Sequence, residues 1–342
     1  MIEMIKYLIG FPGPSGYGSK STADQVVTTT TTADIDSCRH AHDDEYSSSC
    51  TAIITGGTSG IGAETARVLA KRGVRLVLPT RNLKSGEEIK ARILSEFPKS
   101  DIILMTLDLS SLGSVRNFVS DFQALHLPLT LLINNAGKYC HHHCVSEDGI
   151  EMTFATNYLG HFLLTKLLLK NMIETAKITG VQGRIVNVTS AIHTWVSGDF
   201  ISSLGRERTG PDKSSQYDAT RAYAISKVAN ILHTKELARK LQQMEANVIV
   251  NCVHPGVVRT GLLRDHQGFI TDLIFFLASK LLKTVPQAAA TTCYVATHSR
   301  LKNMSGKYFV DCNEASPSKL ACNPDEGARL WSLSEIMVDF RS

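Results

Sequence analysis

The chain has 342 residues, of which 43% are hydrophobic, and a net charge of +4. This length supports one large domain or two small ones with a buried core. The charge excess is small and forms no basic stripe, which argues against a nucleic-acid partner. No apolar run reaches the roughly 18 residues of a membrane-spanning helix. Eight scattered cysteines predict no disulfide framework, so a reducing compartment is favoured over secretion.

Residues 1–49 differ in composition from the rest of the chain. A mildly apolar start is followed by Pro12-Gly13-Pro14, which breaks a helix, and by a threonine run at residues 28–32. Acidic residues at 43–45 argue against a plastid transit peptide, and no apolar stretch precedes a small-residue cleavage site. We expect a flexible extension, part of which packs on the domain; a targeting role is the alternative.

From residue 50 the chain alternates strands and helices without a break, so we predict a single domain over residues 50–342. The predicted strands cover residues 51–55, 74–78, 102–107, 129–133, 184–188 and 247–253. The predicted helices cover residues 63–71, 84–94, 115–125, 154–172 and 222–244. This alternation predicts a Rossmann-type, doubly wound α/β fold with a mostly parallel sheet. Ligands of such sheets bind beyond the carboxyl ends of the strands.

A glycine-rich turn joins the first predicted strand to the first helix of this domain. The backbone N–H groups and the dipole at the helix N-terminus attract an anion, and the missing side chains let a pyrophosphate approach. The spacing T-G-x-x-x-G-x-G differs from the usual dinucleotide fingerprint and from a P-loop. The alternative is a tight connection without a ligand. The predicted cofactor contacts in this turn are Thr55, Gly56, Thr58, Ser59, Gly60, Ile61 and Gly62.

The second strand ends at Arg81 and Asn82, with no acidic residue nearby. A carboxylate at this place would take the ribose 2′-OH of NAD, whereas an arginine accommodates the 2′-phosphate of NADP. Arg81 therefore favours NADP(H), and a solvated loop arginine is the alternative.

Two further strand ends carry candidate cofactor contacts. Asp108 and Leu109, after the third strand, are placed to meet the adenine, although an Asp here also suits a helix N-terminus. Asn134-Asn135-Ala136-Gly137 follows the apolar fourth strand. Its asparagines can hold the turn open for a ribose, and Gly137 lets the cofactor pass closely.

Tyr223 and Lys227 lie one turn apart on the same face of a predicted helix. A phenol with its ordinary pKa of about 10 is a poor base at neutral pH. A neighbouring ammonium and a positive nicotinamide ring favour the phenolate, so we expect Lys227 to lower the pKa of Tyr223. Ser190, at the end of the fifth strand, can donate a hydrogen bond to a substrate oxygen. With Asn157 upstream, these residues form the predicted catalytic set; an ordinary surface Tyr–Lys pair is the alternative.

In this order, the motifs resemble the short-chain dehydrogenase/reductase family over roughly residues 50–342. Residues 155–162 and 306–312, together with Ser190-x-x-His193, are similar to its retinol-dehydrogenase-like branch. Residues 13–23 resemble plant members, including a dehydrogenase of the plastid inner-envelope import machinery.

The resemblance implies a seven-stranded sheet and an NADP(H) cofactor. It also implies that Asn157 holds a water that links Lys227 to solvent. Further implied cofactor contacts are Pro255, Gly256, Val258 and Thr260, the last at the nicotinamide amide. For the location, the cytoplasm and the chloroplast, at its inner envelope, are left as alternatives, and we expect no secretion.

The loop Lys138-Tyr139-Cys140-His141-His142-His143-Cys144 departs from the family pattern. Its density of Cys and His suggests a metal. However, adjacent ligands cannot all converge on one ion, and no second cluster completes a structural site. We expect no metal here and interpret the loop as a rim of the substrate cleft.

Residues 267–285 form a very apolar predicted helix. We interpret it as a wall over the cleft, which favours a lipophilic alcohol or ketone as substrate. A core helix and peripheral membrane contact are the alternatives, and a homo-oligomer is left open. The predicted function is an NADP(H)-dependent oxidoreductase. The alternative is an NADP(H)-binding, redox-sensing subunit of a membrane-associated complex.

Overall fold

A computed structural model describes residues 2–28, 50–199, 201, 204, 217–258 and 282–339. Its strands are β1 (Thr51–Ile54), β2 (Arg75–Thr80), β3 (Ile102–Thr106), β4 (Leu131–Asn134), β5 (Gly183–Val188), β6 (Val248–His254), β7 (Tyr308–Val310) and β8 (Asn313–Ala315). Its helices are α1 (Ile2–Ile9), α2 (Ala23–Thr28), α3 (Gly60–Lys71), α4 (Leu83–Glu96), α5 (Leu112–Ala124), α6 (Gly160–Thr179), α7 (Ala219–Gln243), α8 (Val285–Thr297) and α9 (Pro324–Asp339). A helical turn at Met152–Phe154 and a π turn at Ala155–Leu159 lead directly into α6. Thr260 and nearly all of the apolar segment 267–285 lie outside the described residues.

The strands form one sheet in the order β3-β2-β1-β4-β5-β6-β7-β8. All neighbouring pairs from β3 to β7 are parallel, which confirms the predicted Rossmann-type fold. Strands β1 and β4 are buried along their whole length, as expected for strands covered on both faces. The strand order reverses between β1 and β4. This is the switch point at which open α/β sheets bind their ligands.

The expected seven parallel strands are present as β1 to β7, and the sheet carries an eighth strand beyond them. Strand β8 pairs antiparallel with β7, and Val310 lies opposite Asn313. The two residues between them, Asp311 and Cys312, have φ angles of 51° and 63°. Positive φ at both central positions is the mark of a tight two-residue hairpin. The sequence lacks the Asn-Gly or Asp-Gly signal of such a turn, which is why the hairpin was not predicted.

The hydrophobic core lies on both faces of the sheet. Ile53 packs into one cluster with the α5, α6 and α7 side chains, whereas its neighbours Ala52 and Ile54 pack into the other. This alternation follows from the two-residue period of a strand. The second cluster is closed by α3 and α8.

Part of the N-terminal extension packs on the domain. Helix α2 lies against α3 and α8 and buries Ala23, Val26 and Val27. Asp24 forms ion pairs with Arg67 and, at 2.8 Å, with Lys71 of α3.

From the sequence we expect no membrane-spanning helix and no framework of disulfide bonds. Across residues 2–28, 50–199, 217–258 and 282–339, no helix is long and apolar enough to cross a membrane. Six cysteines in this part of the chain are free thiols, and Cys50 is disulfide-bonded.

Candidate active site

The glycine turn between β1 and α3 forms a cradle that side chains would fill. Gly56 and Gly60 have φ angles of 65° and 51°, in the left-handed region. A Cβ at Gly56 would lie 2.9 Å from the Cα of Ala136, and one at Gly62 would overlap the carbonyl oxygen of Gly56. The side chain of Ser59, the N-cap residue of α3, makes no capping hydrogen bond. This helix N-terminus therefore fits the pyrophosphate of a dinucleotide.

Thr55 ties the glycine turn to the end of β4. Its Oγ1 accepts hydrogen bonds from the backbone N–H groups of Asn135 (2.9 Å) and Ala136 (3.0 Å). In return, the side-chain amide of Asn135 donates to the carbonyl of Thr55 at 2.9 Å. The two loops at the switch point are thus held at a fixed spacing.

His161 continues this network and was missed by the sequence interpretation. Its Nδ1 lies 3.1 Å from the carbonyl oxygen of Asn157, and its Nε2 lies 2.8 Å from Oγ1 of Thr55. Because a carbonyl only accepts, Nδ1 carries the proton and the Thr55 hydroxyl donates to Nε2. Burial, with a smaller effect of the Lys227 charge, lowers the pKa of His161 to about 4. The ring is therefore neutral at physiological pH.

Asn157 lies in the π turn before α6 and holds the next loop in place. Its Oδ1 accepts from the N–H of Lys138 at 2.7 Å, and its Nδ2 donates to the carbonyl of Lys138 at 2.9 Å. The same Nδ2 lies 3.1 Å from Oγ of Ser226 on α7. A π turn inside a helix is frequent at functional sites. The proposed link from Asn157 through a water to solvent stays a prediction.

Lys227 and Tyr223 lie together on α7, with Lys227 almost completely buried. Nζ of Lys227 donates to the carbonyl of Val188 at 3.1 Å and lies 5.4 Å from the centre of the Tyr223 ring. Burial lowers the pKa of Lys227 to about 8 and raises that of Tyr223 to about 12. Burial disfavours the charged form of each group, which accounts for the direction of both shifts. The expectation that Lys227 and a nicotinamide ring together lower the pKa of Tyr223 stays a prediction.

Ser190 follows β5 and begins a short 3₁₀ turn at Ala191–Trp195. Its carbonyl accepts a hydrogen bond from Nδ1 of the buried His193 at 2.8 Å, and Nε2 of His193 accepts from the N–H of Ser318 at 3.0 Å. Burial lowers the pKa of His193, so the ring is neutral with its proton on Nδ1. This histidine connects the predicted catalytic serine to the C-terminal part of the chain.

The predicted adenosine-side contacts lie at the ends of β2 and β3. Arg81 is exposed, and Asn82 caps α4 by accepting from the N–H of Lys84 at 3.0 Å. The Asp108 carboxylate accepts from the N–H and the hydroxyl of Ser110, at 2.9 and 2.7 Å. The pKa of Asp108 is lowered overall. Burial alone would raise this pKa, but the Ser110 hydrogen bonds and the charges of Arg81 and Lys138 have the larger, opposite effect. Asp108 is thus ionised at physiological pH.

Leu109 is buried beside α6. A Cβ at Gly160, the first residue of α6, would overlap its carbonyl oxygen. The close approach of these two segments therefore requires a glycine.

The Pro255-Gly256 turn follows β6 and rests on a buried lysine. Gly256 has a φ angle of 94°, and a Cβ there would lie 2.6 Å from Cδ of Lys283. Val258 pairs with Lys283 in an isolated bridge. The Lys283 Nζ in turn lies 2.5 Å from Oδ1 of Asp311. The position of Thr260 lies outside the described residues.

The Cys- and His-rich loop lies beside Tyr223. The hydroxyl of Tyr139 is 3.0 Å from that of Thr220, and its ring centre is 5.7 Å from that of Tyr223 and 4.9 Å from that of His141. In the part of the chain that the structure describes, no group of three His, Cys, Asp or Glu side chains could hold a metal ion.

Two comparisons decide the family. A model of short chain dehydrogenases matches residues 50–197. The chain is also 44% identical to the short-chain dehydrogenase TIC 32 B, chloroplastic, of Brassica napus, over 99% of each chain. The chain belongs to the short-chain dehydrogenase/reductase family. This is a family of oxidoreductases, and the residues that its model matches include the strand–glycine turn–helix unit.

Further relatives place this chain in the retinol-dehydrogenase-like branch of the family, as predicted. Retinol dehydrogenase 12 of Bos taurus is 38% identical over 84% of this chain and 86% of its own. The WW domain-containing oxidoreductase of Homo sapiens is 36% identical over 84% of this chain and 68% of its own. Among solved structures, an uncharacterised protein from Mycobacterium paratuberculosis has a TM-score of 0.64 and 28% identity, covering 84% of this chain and 93% of that one.

Proposed function

We propose that this family member is an NADP(H)-dependent oxidoreductase acting on a primary or secondary alcohol, or the matching carbonyl, of a lipophilic small molecule. The burial of Lys227 beside Tyr223 is the observation that carries this proposal. No carboxylate pairs with Lys227 among the described residues, although burying an unpaired ammonium is unfavourable. A strongly perturbed amine beside a phenol at the switch-point edge is typical of a functional site rather than a structural one.

The side chains divide the proton chemistry between them. Tyr223 is proposed to move the proton between its phenol oxygen and the substrate oxygen, and Ser190 to donate a hydrogen bond to the same oxygen. The charge of Lys227 favours the phenolate when the proton leaves Tyr223. When bound, the nicotinamide accepts or supplies the hydride. A redox-sensing subunit needs none of this arrangement, so the structure offers no support for that alternative.

The proposed cofactor site runs along the carboxyl ends of β1 to β6. The proposed contacts are Thr55, Gly56, Thr58, Ser59, Gly60, Ile61, Gly62, Arg81, Asn82, Asp108, Leu109, Asn135, Ala136, Gly137, Tyr223, Lys227, Pro255, Gly256, Val258 and Thr260. The preference for NADP(H) rests on Arg81. This arginine is exposed, its charge helps to lower the pKa of Asp108, and we propose that it contacts the 2′-phosphate.

The proposal of a lipophilic substrate has two supports. Residues 267–285 are strongly apolar in sequence, and relatives in the same branch are named retinol dehydrogenases. We also propose a chloroplast location, because relatives that match over 99% of the chain are named chloroplastic.

A substrate panel tests the proposal. Pure protein is incubated with NADPH or NADH and with retinoid, terpenoid, steroid and aliphatic carbonyls, and cofactor oxidation is followed. We expect turnover of at least one class, faster with NADPH than with NADH. Binding of NADPH without turnover of any member, equally in wild type and in Tyr223→Phe, would contradict the enzymatic function.

A further inference from the structure

A cavity of about 230 Å³ lies beyond the carboxyl ends of β6 and β7. Its lining residues are Tyr7, His254, Gly256, Val257, Val310 and Asp311. It adjoins the proposed active site on two sides. The Nδ1 of His254 accepts from the N–H of Ala191, the residue after Ser190, at 3.3 Å. Gly256 belongs to the turn that the family resemblance assigns to the nicotinamide.

His254 offers this cavity a hydrogen-bond donor. Because its Nδ1 accepts from a backbone N–H, the neutral ring carries its proton on Nε2. Burial and the charge of Lys283 lower the pKa of His254 to about 4, so the ring is neutral at physiological pH. Within the described part of the chain, Nε2 has no hydrogen-bond partner. His254 is half-buried and lines the cavity, so this N–H is available to a polar group bound there.

Asp311 offers the same cavity a hydrogen-bond acceptor, and a neighbouring lysine balances its negative charge. Its carboxylate is paired at 2.5 Å with Lys283, whose side chain is buried. The remaining walls include the apolar side chains of Val257 and Val310. A balanced ion pair and apolar walls favour a neutral polar group over an anion or a cation.

Tyr7 brings the N-terminal extension into this cavity. Its carbonyl accepts from the hydroxyl of the buried Ser19. The loop between them is fixed to the β7–β8 hairpin through Asn313, which accepts from the N–H of Ser15 at 2.9 Å and donates to the carbonyl of Tyr17 at 3.0 Å. Burial and the charge of Asp311 raise the pKa of Tyr7, so its phenol is protonated. The extension and the hairpin therefore form one wall.

We propose that this cavity is a substrate subsite for a hydroxyl group that the substrate carries away from its reacting carbon. His254 donates a hydrogen bond from Nε2–H to this hydroxyl oxygen, the Asp311 carboxylate accepts a hydrogen bond from the hydroxyl, and Tyr7 closes the outer wall. This inference rests on the proposed oxidoreductase function. It narrows the substrate class to lipophilic carbonyls or alcohols with a second, distal hydroxyl.

Matched substrate pairs test the subsite. Straight-chain alkanals of about eight to twelve carbons are compared with the same alkanals carrying a terminal hydroxyl, using NADPH. We expect kcat/KM to be about tenfold higher for the hydroxylated partner at one or more chain lengths, as two hydrogen bonds to a neutral group allow. The ratio within each pair is the readout, so a general loss of activity does not affect it.

Three variants locate the effect. His254→Asn keeps an acceptor for the Ala191 N–H but removes the Nε2–H donor, and Tyr7→Phe removes only a hydroxyl. In His254→Asn the ratio should fall to about one, and in Tyr7→Phe it should fall less. Ile9→Ser, an exposed change on the same helix as Tyr7, is the matched control and should keep the wild-type ratio. An unchanged ratio in His254→Asn, or a ratio of one in wild type, would overturn the proposal.

A binding measurement separates this proposal from the oxidoreductase function. In the presence of NADP⁺, 1,10-decanediol should raise the unfolding temperature of the wild type more than 1-decanol does, and His254→Asn should remove the difference. Turnover of no carbonyl with a retained difference would refute the proposed function alone. Equal effects of the two alcohols on the wild type would refute the subsite, whatever the activity.

Discussion

At the scale of single residues, the buried charge of Lys227 lowers the stability of the folded protein at a site that is proposed to be catalytic. Its ammonium is buried without a carboxylate partner among the described residues, and burial lowers its pKa from 10.5 to about 8. The difference between these values corresponds to about 3 kcal/mol at roughly 1.4 kcal/mol per pKa unit. The folded state carries this cost wherever Lys227 is charged.

Lys227→Met should therefore stabilise the cofactor-free protein by about 3 kcal/mol at pH 7 and abolish turnover. Between pH 8 and 10.5 the unfolded wild type binds a proton that the folded state does not. The free energy of unfolding of the wild type should thus rise with pH across this window. The difference in this free energy between the variant and the wild type should therefore shrink. Urea unfolding at pH 7 and pH 10 measures it. A variant that is less stable than wild type at pH 7 would contradict the assigned cost.

Arg81 should decide between the two nicotinamide cofactors. Arg81→Asp places a carboxylate where the 2′-phosphate is proposed to bind, so NADP(H) should lose at least tenfold in affinity while NAD(H) gains. Fluorescence titration with each cofactor measures the ratio. Lys84→Ala, an exposed change on the neighbouring helix, serves as the control. The same preference before and after the Arg81 change would show that this arginine faces water in the complex.

At the scale of elements, most predicted strands and helices of residues 50–254 lie within about three residues of the observed bounds. Helix α6 is an exception, since it ends at Thr179 and not at Met172, and strand β7 and helix α9 were not predicted. The buried strands β1 and β4 appear as short apolar runs, and α7 has a polar cap at Asp218 that accepts from the N–H of Arg221. Helix α8 was missed because it is buried on nearly every side. A helix without a polar face has no amphipathic period to detect.

The glycine turn provides a test at this scale. Gly62→Ala should displace the turn, because its Cβ would overlap the carbonyl of Gly56, and cofactor affinity should fall by at least tenfold. Gly113→Ala, in helix α5, is the matched control, since the nearest atom to its Cβ would be 3.8 Å away. Calorimetric titration with NADPH compares the two variants. Wild-type affinity in Gly62→Ala would show that the turn does not form the pyrophosphate cradle.

At the scale of the whole molecule, the candidate catalytic residues could be predicted from the sequence, but the long-range hydrogen bonds around them could not. Tyr223 and Lys227 are spaced by one helical turn, so a local rule finds them. The link from Ser190 through His193 to Ser318 joins residues more than 100 positions apart, as does the link from Ser15 to Asn313. No local period encodes such contacts, so they appear only once the chain is folded.

The turnover of Tyr223→Phe tests the central claim most directly. This change removes the phenol oxygen and leaves the glycine turn and the Lys227 hydrogen bond to Val188 in place. Because positioned proton transfer contributes on the order of a hundred- to ten-thousand-fold, kcat should fall by at least a hundredfold while NADPH affinity stays within about threefold. Tyr139→Phe, whose ring lies 5.7 Å from that of Tyr223, should retain most of the activity. Near-native turnover in Tyr223→Phe on a good substrate would contradict the proposed mechanism.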